Sequence, residues 1–295
     1  APVLSPNDPE NPGPFKVVGS VFETLPKAPS ELAPLGTLPD QTSVYHALVW
    51  GTRSAFTFGL TVALISGFIG VLIGAISAYS GGFLNKFLMR ITDAFLAFPI
   101  IAAVVFIQQI ISIILTNAGV NYFRGSFGDF IFIQPSINEL PKDIAPWIIL
   151  LKRIDPAMIA FILLSWVPFA RVTNTVVMRV KKTDFVEAAR AAGAGKFKII
   201  FKHLIPNSIA PAIVLAARDV GGMVVLQATF SFVGLGEGSP WGTILVTGRN
   251  WIYSPGGIVN YWWVFLPATL AIVLFGITWN LLGDGLNDAL NPRSQ

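Results

Sequence analysis

The chain has 295 residues, 53% hydrophobic and 12% charged, with a formal net charge of +4. Soluble domains carry about 25% charged residues, so this chain lacks the polar groups to clothe itself in water, and most of its surface faces lipid. The small net charge is not gathered into a nucleic-acid footprint. The absence of cysteine excludes disulfides and thiolate metal sites, and His46 and His203 lie too far apart in sequence to suggest a histidine metal site.

Residues 1–50 open at Ala1 with a proline-rich coil, APVLSPNDPENPGP, which has neither the basic n-region nor the apolar h-region of a signal peptide. Apolar runs follow. A membrane-crossing helix needs about 20 mostly apolar residues, and five stretches qualify: 54–79, 90–116, 156–178, 209–234 and 262–284. Pro99 and Asn117 confine the second helix to part of its run. Within the first span Ser66, Gly70, Gly74 and Ala78 recur every four residues. That spacing lets another helix approach closely, as ordinary packing inside the subunit or as a seam that slides.

Orientation follows from lysine and arginine. Residues 171–207 hold Arg171, Arg179, Lys181, Lys182, Arg190, Lys196, Lys198 and Lys202, so this loop is expected in the cytoplasm. Alternation then places the turn near Lys86 and Arg90, and the tail 291–295, on the inside. Residues 1–50, 117–155 and 235–260 fall outside. An N-terminus on the outside must have been carried there, so a preceding transmembrane helix is expected to have been removed or not included.

The basic loop reads as two short helices. Val186, Ala189, Ala192 and Gly193 recur at helical spacing, and Glu187 lies one turn before Arg190. Asp184 sits where a helix N-terminus favours negative charge. Gly193 and Gly195 break the helix. Phe197, Ile200, Phe201 and Leu204 restart an apolar stripe that Pro206 is expected to end. Such an element is either a solvated connector or a docking element for a cytoplasmic partner. It is not a phosphate loop. GAGK (193–196) has Arg190 and Phe197 where that template needs Gly and Ser or Thr. GLGEG (234–238) lacks the strand and helix of a dinucleotide site. No nucleophile–base pair or paired carboxylates suggest an enzyme.

The loop resembles the EAA loop of ABC-importer permeases. That pattern is Glu-Ala-Ala, three residues, Gly, then a run ending near Pro, and Glu187, Ala188, Ala189, Gly193 and Pro206 occupy those positions. His203, Pro206 and Asn207 give the ending usual in dipeptide and oligopeptide permeases. LMRITDAFLAFP (88–99), SFVGLG (231–236), SPWG (239–242) and the LNDALNPR tail are similar to the C-type permease of the dipeptide, oligopeptide and nickel importers.

The resemblance implies an all-α, polytopic transmembrane bundle of the type I ABC-importer kind, with the first of the family's usual six spans missing. It implies an extracytoplasmic segment 1–50, a permease domain 51–290, an extracytoplasmic insertion 117–155 longer than the family's short link, and the EAA loop at 180–207. It further implies a second, similar permease subunit, two cytoplasmic ATPase subunits, an extracytoplasmic substrate-binding protein and a lipid surround in a prokaryotic plasma membrane. The permease itself binds no cofactor or metal and is no enzyme. ATP is used by the partners, which grip the EAA loop, and the solute is a peptide, nickel or an oligosaccharide.

Charge inside a span marks function. Arg218 and Asp219 interrupt a span that is otherwise apolar, and Gln227 stands where the family often has Glu. These three are candidates for the translocation path, with Gln108 and Gln109 as further ones. Adjacent residues project about 100° apart on a helix, so Arg218 and Asp219 are each expected to find another partner or a wet cavity. The rival reading is an ion-gradient-driven secondary transporter or channel subunit, which needs buried acids along its spans. Only Asp219 lies deep in one.

Overall fold

The computed structural model describes residues 16–20, 23–117, 122–127, 130–135, 156–233 and 239–290. Within these, helices α1 (Val44–Ser80), α2 (Gly82–Ala97) and α3 (Ile100–Asn117) precede a hairpin of β1 (Tyr122–Phe127) and β2 (Phe130–Pro135). Next come α4 (Pro156–Val180), α5 (Asp184–Ala191), α6 (Lys196–Lys198), a π-helical run Ile199–Leu204 and α7 (Ile205–Ser208). The chain continues through α8 (Ala210–Val233), α9 (Pro240–Ile252), α10 (Gly257–Asn260), a 3-10 turn Trp262–Val264 and α11 (Leu266–Leu290).

Among the described residues α1, α4, α8 and α11 are long and apolar enough to cross a membrane, and α2 with α3 makes a fifth candidate bent by 94°. The expected second span, 90–116, is thus corrected. Helix begins at Gly82 and breaks at Phe98, which takes extended backbone (φ −77°, ψ 133°). The cause is Pro99, because a proline pushes its predecessor out of the helical region. The last span is also shifted: Trp262–Val264 is a 3-10 turn, and the long helix runs Leu266–Leu290. The segment expected as an outer loop, 235–260, contains the helix α9, capped by Ser239, whose hydroxyl accepts from the Gly242 N–H at 3.1 Å.

The expected insertion 117–155 holds the antiparallel hairpin, paired from Tyr122↔Pro135 to Phe127↔Phe130. Residues 136–155 of that expected insertion lie outside the described residues.

The chain divides into two compact units. One comprises Ala1–Gly59, Val120–Leu140 and Gly221–Thr278; the other comprises Leu60–Gly119, Pro141–Val220 and Trp279–Gln295. The expected proline-rich coil APVLSPNDPENPGP lies outside the described residues, and the first unit is held by the chain that follows it. Leu38, Val44, Ala47, Ile244, Trp263, Val264 and Ala268 form its buried cluster. Gln41 is fully buried and donates through Nε2 to the carbonyls of Glu23 (3.3 Å) and Leu25 (2.7 Å). The Trp241 indole N–H donates to the Leu48 carbonyl at 3.0 Å. Ser43 starts α1, its hydroxyl accepting from the His46 N–H at 3.4 Å. With 37 residues, α1 is about 55 Å long at 1.5 Å per residue, more than a bilayer's ~30 Å hydrocarbon core.

In the second unit, α1 and α4 meet backbone to backbone. Ser66 donates to the Ile162 carbonyl at 3.3 Å. A Cβ at Gly70 would strike the Trp166 carbonyl and lie 2.5 Å from Phe169 Cβ. A Cβ at Gly74 would strike the Ala170 carbonyl and lie 3.0 Å from Thr173 Cβ. Ala78 is fully buried. The four-residue stripe therefore packs inside this chain. Helix α2 runs antiparallel to α4 between Trp166 and Asn174, with three side-chain contacts along it. These are an Asn174–Asn85 hydrogen bond (2.7 Å), an Arg171–Asp93 ion pair and an edge-on contact of Phe95 with Trp166.

Candidate coupling loop and charged span

Residues 180–207 rest on the ends of α1 and α4. Val186, Ile199, Ile200 and Leu204 are buried with Ala75 and Ala78 of α1 and Val177 of α4. Helix α5 starts after Thr183, whose carbonyl accepts from the Val186 and Glu187 N–H groups. It ends in a Schellman motif: the Ala194 N–H reaches the Ala189 carbonyl at 3.0 Å and the Gly193 N–H reaches the Arg190 carbonyl at 2.9 Å. Gly193 closes this turn with φ +77°, a left-handed conformation that glycine adopts without penalty. No atom would meet a Cβ there, so the need for glycine is conformational, not steric.

Pro206 does not end the second helix, as expected, but sits inside it. The run continues to Ser208, and the turn ahead of the proline widens to π-helix from Ile199 to Leu204. A proline clashes with the carbonyl four residues earlier and offers it no N–H. An extra residue in the preceding turn relieves that conflict.

What remains outward is the set of residues that match the EAA pattern. Glu187, Ala188, Gly193 and Pro206 are exposed, and Ala189 is half-buried. Phe185 (44% exposed), Phe197 (78%) and Phe201 (50%) accompany them, with Phe197 and Phe201 stacked at 6.4 Å between ring centres. Lys196, Lys198 and Lys202 are exposed around the aromatics. Arg190 does not turn toward Glu187. Its guanidinium stands 5.4 Å from the centre of the Tyr79 ring.

Several contacts in and beside the loop are not marked in the sequence. Lys181 Nζ donates to the Ala78 carbonyl at 2.6 Å. Burial first, then Arg190, then Lys182 push the Lys181 ammonium below the usual lysine range. Asn174 Nδ2 lies 2.7 Å from Asn85 Oδ1 and 3.3 Å from Ser77 Oγ. Lys181 was visible as one more positive charge in a basic loop. Nothing in the sequence marks its partner, 103 residues away.

Arg218 finds its partner on α11: the guanidinium meets Asp284 at 2.5 Å. Gly283 makes room, since a Cβ there would lie 2.6 Å from Arg218 Cγ. Asp219 is half-buried beside it. Gln227 is buried, eight residues further along α8 and within the other unit. On α3, Gln108 is half-buried and Gln109 exposed. Among the described residues no cluster of His, Asp and Glu has the make-up of a metal site.

Residues 70–295 match the family model described as binding-protein-dependent transport system inner membrane component. The chain belongs to this family. Members are the permease subunits of ABC importers, and this permease is a multi-pass membrane protein. It is 30% identical over 253 residues to a Brucella suis protein named as a peptide transport system permease, covering 85% of this chain and 70% of that one. It is 29% identical over 262 residues to the di/tripeptide transport system permease DppC of Pseudomonas aeruginosa, covering 88% and 72%. A solved structure of the MetNI methionine ABC transporter, in an inward-facing conformation, matches with a TM-score of 0.56 at 18% identity, over 82% of this permease and 95% of that chain. That likeness concerns the fold.

Proposed function

We propose that this permease forms half of the translocation path of an ATP-driven peptide importer and is driven through residues 180–207. A second, similar permease completes the path, two cytoplasmic ATPase subunits grip the loop, and an extracytoplasmic binding protein delivers solute. Residues 1–50 and the insertion 117–155 face outward around a permease domain of 51–290. Arg218, Asp219 and Gln227 border the path. Peptide as the solute rests on the relatives' names and on the HxxPN ending of the loop at His203–Asn207.

The observation that carries this reading is the division of labour in the loop. One face, with Val186, Ile199 and Leu204, is buried on the span ends. The other leaves Ala188 and the aromatic residues Phe185, Phe197 and Phe201 uncovered beside lysines. A solvated connector has no need of three exposed phenylalanines. An ATPase groove can approach closely over alanine, and aromatic residues dominate interface energies.

Docking is tested by Ala188→Trp. The site is exposed, so the helix keeps its fold. The expected result is loss of ATPase subunits from the purified complex, with affinity reduced at least about tenfold. Retention of the subunits and normal peptide uptake by reconstituted vesicles would refute the assignment.

Orientation is tested by cysteines introduced into this cysteine-free chain. Lys196→Cys should resist a membrane-impermeant thiol reagent applied to intact cells. Tyr253→Cys, at a residue 89% exposed after α9, should react. The reverse pattern would invert the topology.

A further inference from the structure

Two successive residues in the last turn of α1, Ala78 and Tyr79, are held by cations from the loop. A helix leaves its final four carbonyls without intrahelical partners. In α1 the Ser77 carbonyl takes the Gly81 N–H at 3.1 Å, and the Ala78 carbonyl takes Lys181 Nζ at 2.6 Å. No basic residue of α1 itself lies in its last turn. Lys181 therefore supplies the cation that a helix C-terminus favours. One residue on, Tyr79 receives Arg190 over its ring at 5.4 Å, a cation–π contact.

The placement of these two cations matters. Lys181 lies three residues before the first residue of α5, and Arg190 lies in its last turn. Both ends of α5 are thus pinned to α1, and Val186 between them is fully buried against the same helix end. Packed interiors do not deform continuously, so α5 cannot slide or roll without taking α1 along. Meanwhile Glu187 and Ala188 stay outward. The residues that hold α1 and those that face outward are separate sets on one short helix.

We propose that Lys181 and Arg190, through the Ala78 carbonyl and the Tyr79 ring, are positioning residues that transmit displacement of the loop to α1. The inference rests on the docking reading above, which identifies what displaces the loop. It assigns to Lys181, Arg190 and Tyr79 a role in coupling and none in ATPase binding.

The test uses the assembled transporter in nanodiscs, with Phe68→Cys, 67% exposed on α1, carrying an environment-sensitive fluorophore. ATP with vanadate is the stimulus. The parent complex should give a fluorescence change. Lys181→Met and Tyr79→Leu should keep the ATPase subunits bound and hydrolysing ATP, yet reduce that change roughly fivefold or more. Lys181→Arg and Tyr79→Phe keep the charge and the ring, and should restore it. An undiminished change in the Lys181→Met, Tyr79→Leu double variant overturns the proposal. So does loss of the ATPase subunits from either single variant, because the residue would then serve assembly. Should Lys181→Met fail to accumulate, Tyr79→Leu and its Phe counterpart decide alone. Failure of the docking reading has a different signature: Ala188→Trp retains its ATPase subunits.

Discussion

Gly74→Leu is expected to leave almost no folded permease in the membrane. The first carbon of the new side chain would collide with the Ala170 carbonyl and lie 3.0 Å from Thr173 Cβ and 3.1 Å from the Asn174 N. The obstacle is α4 backbone, which has no rotamer to change. Overpacking costs about 1–3 kcal/mol where side chains can yield and more where they cannot. Folded proteins hold only about 5–15 kcal/mol in reserve. Separating the helices would also break the contact from Asn174 Nδ2 to the Gly74 carbonyl, at 3.4 Å. Gly222→Leu is the control, because a Cβ there meets nothing within 4 Å. Fluorescence-detected size exclusion of the two variants should show a monodisperse peak for Gly222→Leu alone. A normal peak for Gly74→Leu would mean that α1 and α4 do not meet as described.

The second large effect is expected at the Arg218–Asp284 pair. Arg218→Asp sets two carboxylates against each other in place of a 2.5 Å ion pair, with Asp219 adding a third acidic group nearby. A lone charge at the centre of a membrane helix costs about 2.5–3.5 kcal/mol on insertion scales. Toward a helix end, where Asp284 sits, the cost is lower. Arg218→Asp should therefore lower the thermal midpoint of the purified complex and abolish uptake. Adding Asp284→Arg should recover much of the stability. If the reversed pair is no better than the single variant, the two residues act separately. Recovery of stability without uptake would assign the polarity of the pair to the path.

Much of the fold was legible from hydropathy, because lipid forces long apolar helices to declare themselves. The loop was legible too, because Gly193 and its neighbours carry their turn chemistry locally. Hidden features depend on distant partners. Helix α2 was obscured because Lys86 and Arg90 read as a turn. The Asp93 charge is met by Arg171, far along the chain. Arg218 was recognised as needing a partner, but nothing local points to Asp284, 66 residues on. Pro206 misled for a different reason. Proline is read as a helix stop, whereas here a wider turn accommodates it. The contacts of Lys181 and Arg190 with the end of α1 are tertiary, and a count of positive charges gives them no distinction.

The glycine face of α1 also bears on how the protein is made. Asn174 of α4, which donates to the Gly74 carbonyl, leaves the ribosome 100 residues after it. At the usual 5–20 residues per second of synthesis, α1 waits about 5–20 s before its counterpart exists. During that interval the glycine face of α1 stands without the helix that later covers it, so the bundle is completed only when α4 has entered the membrane.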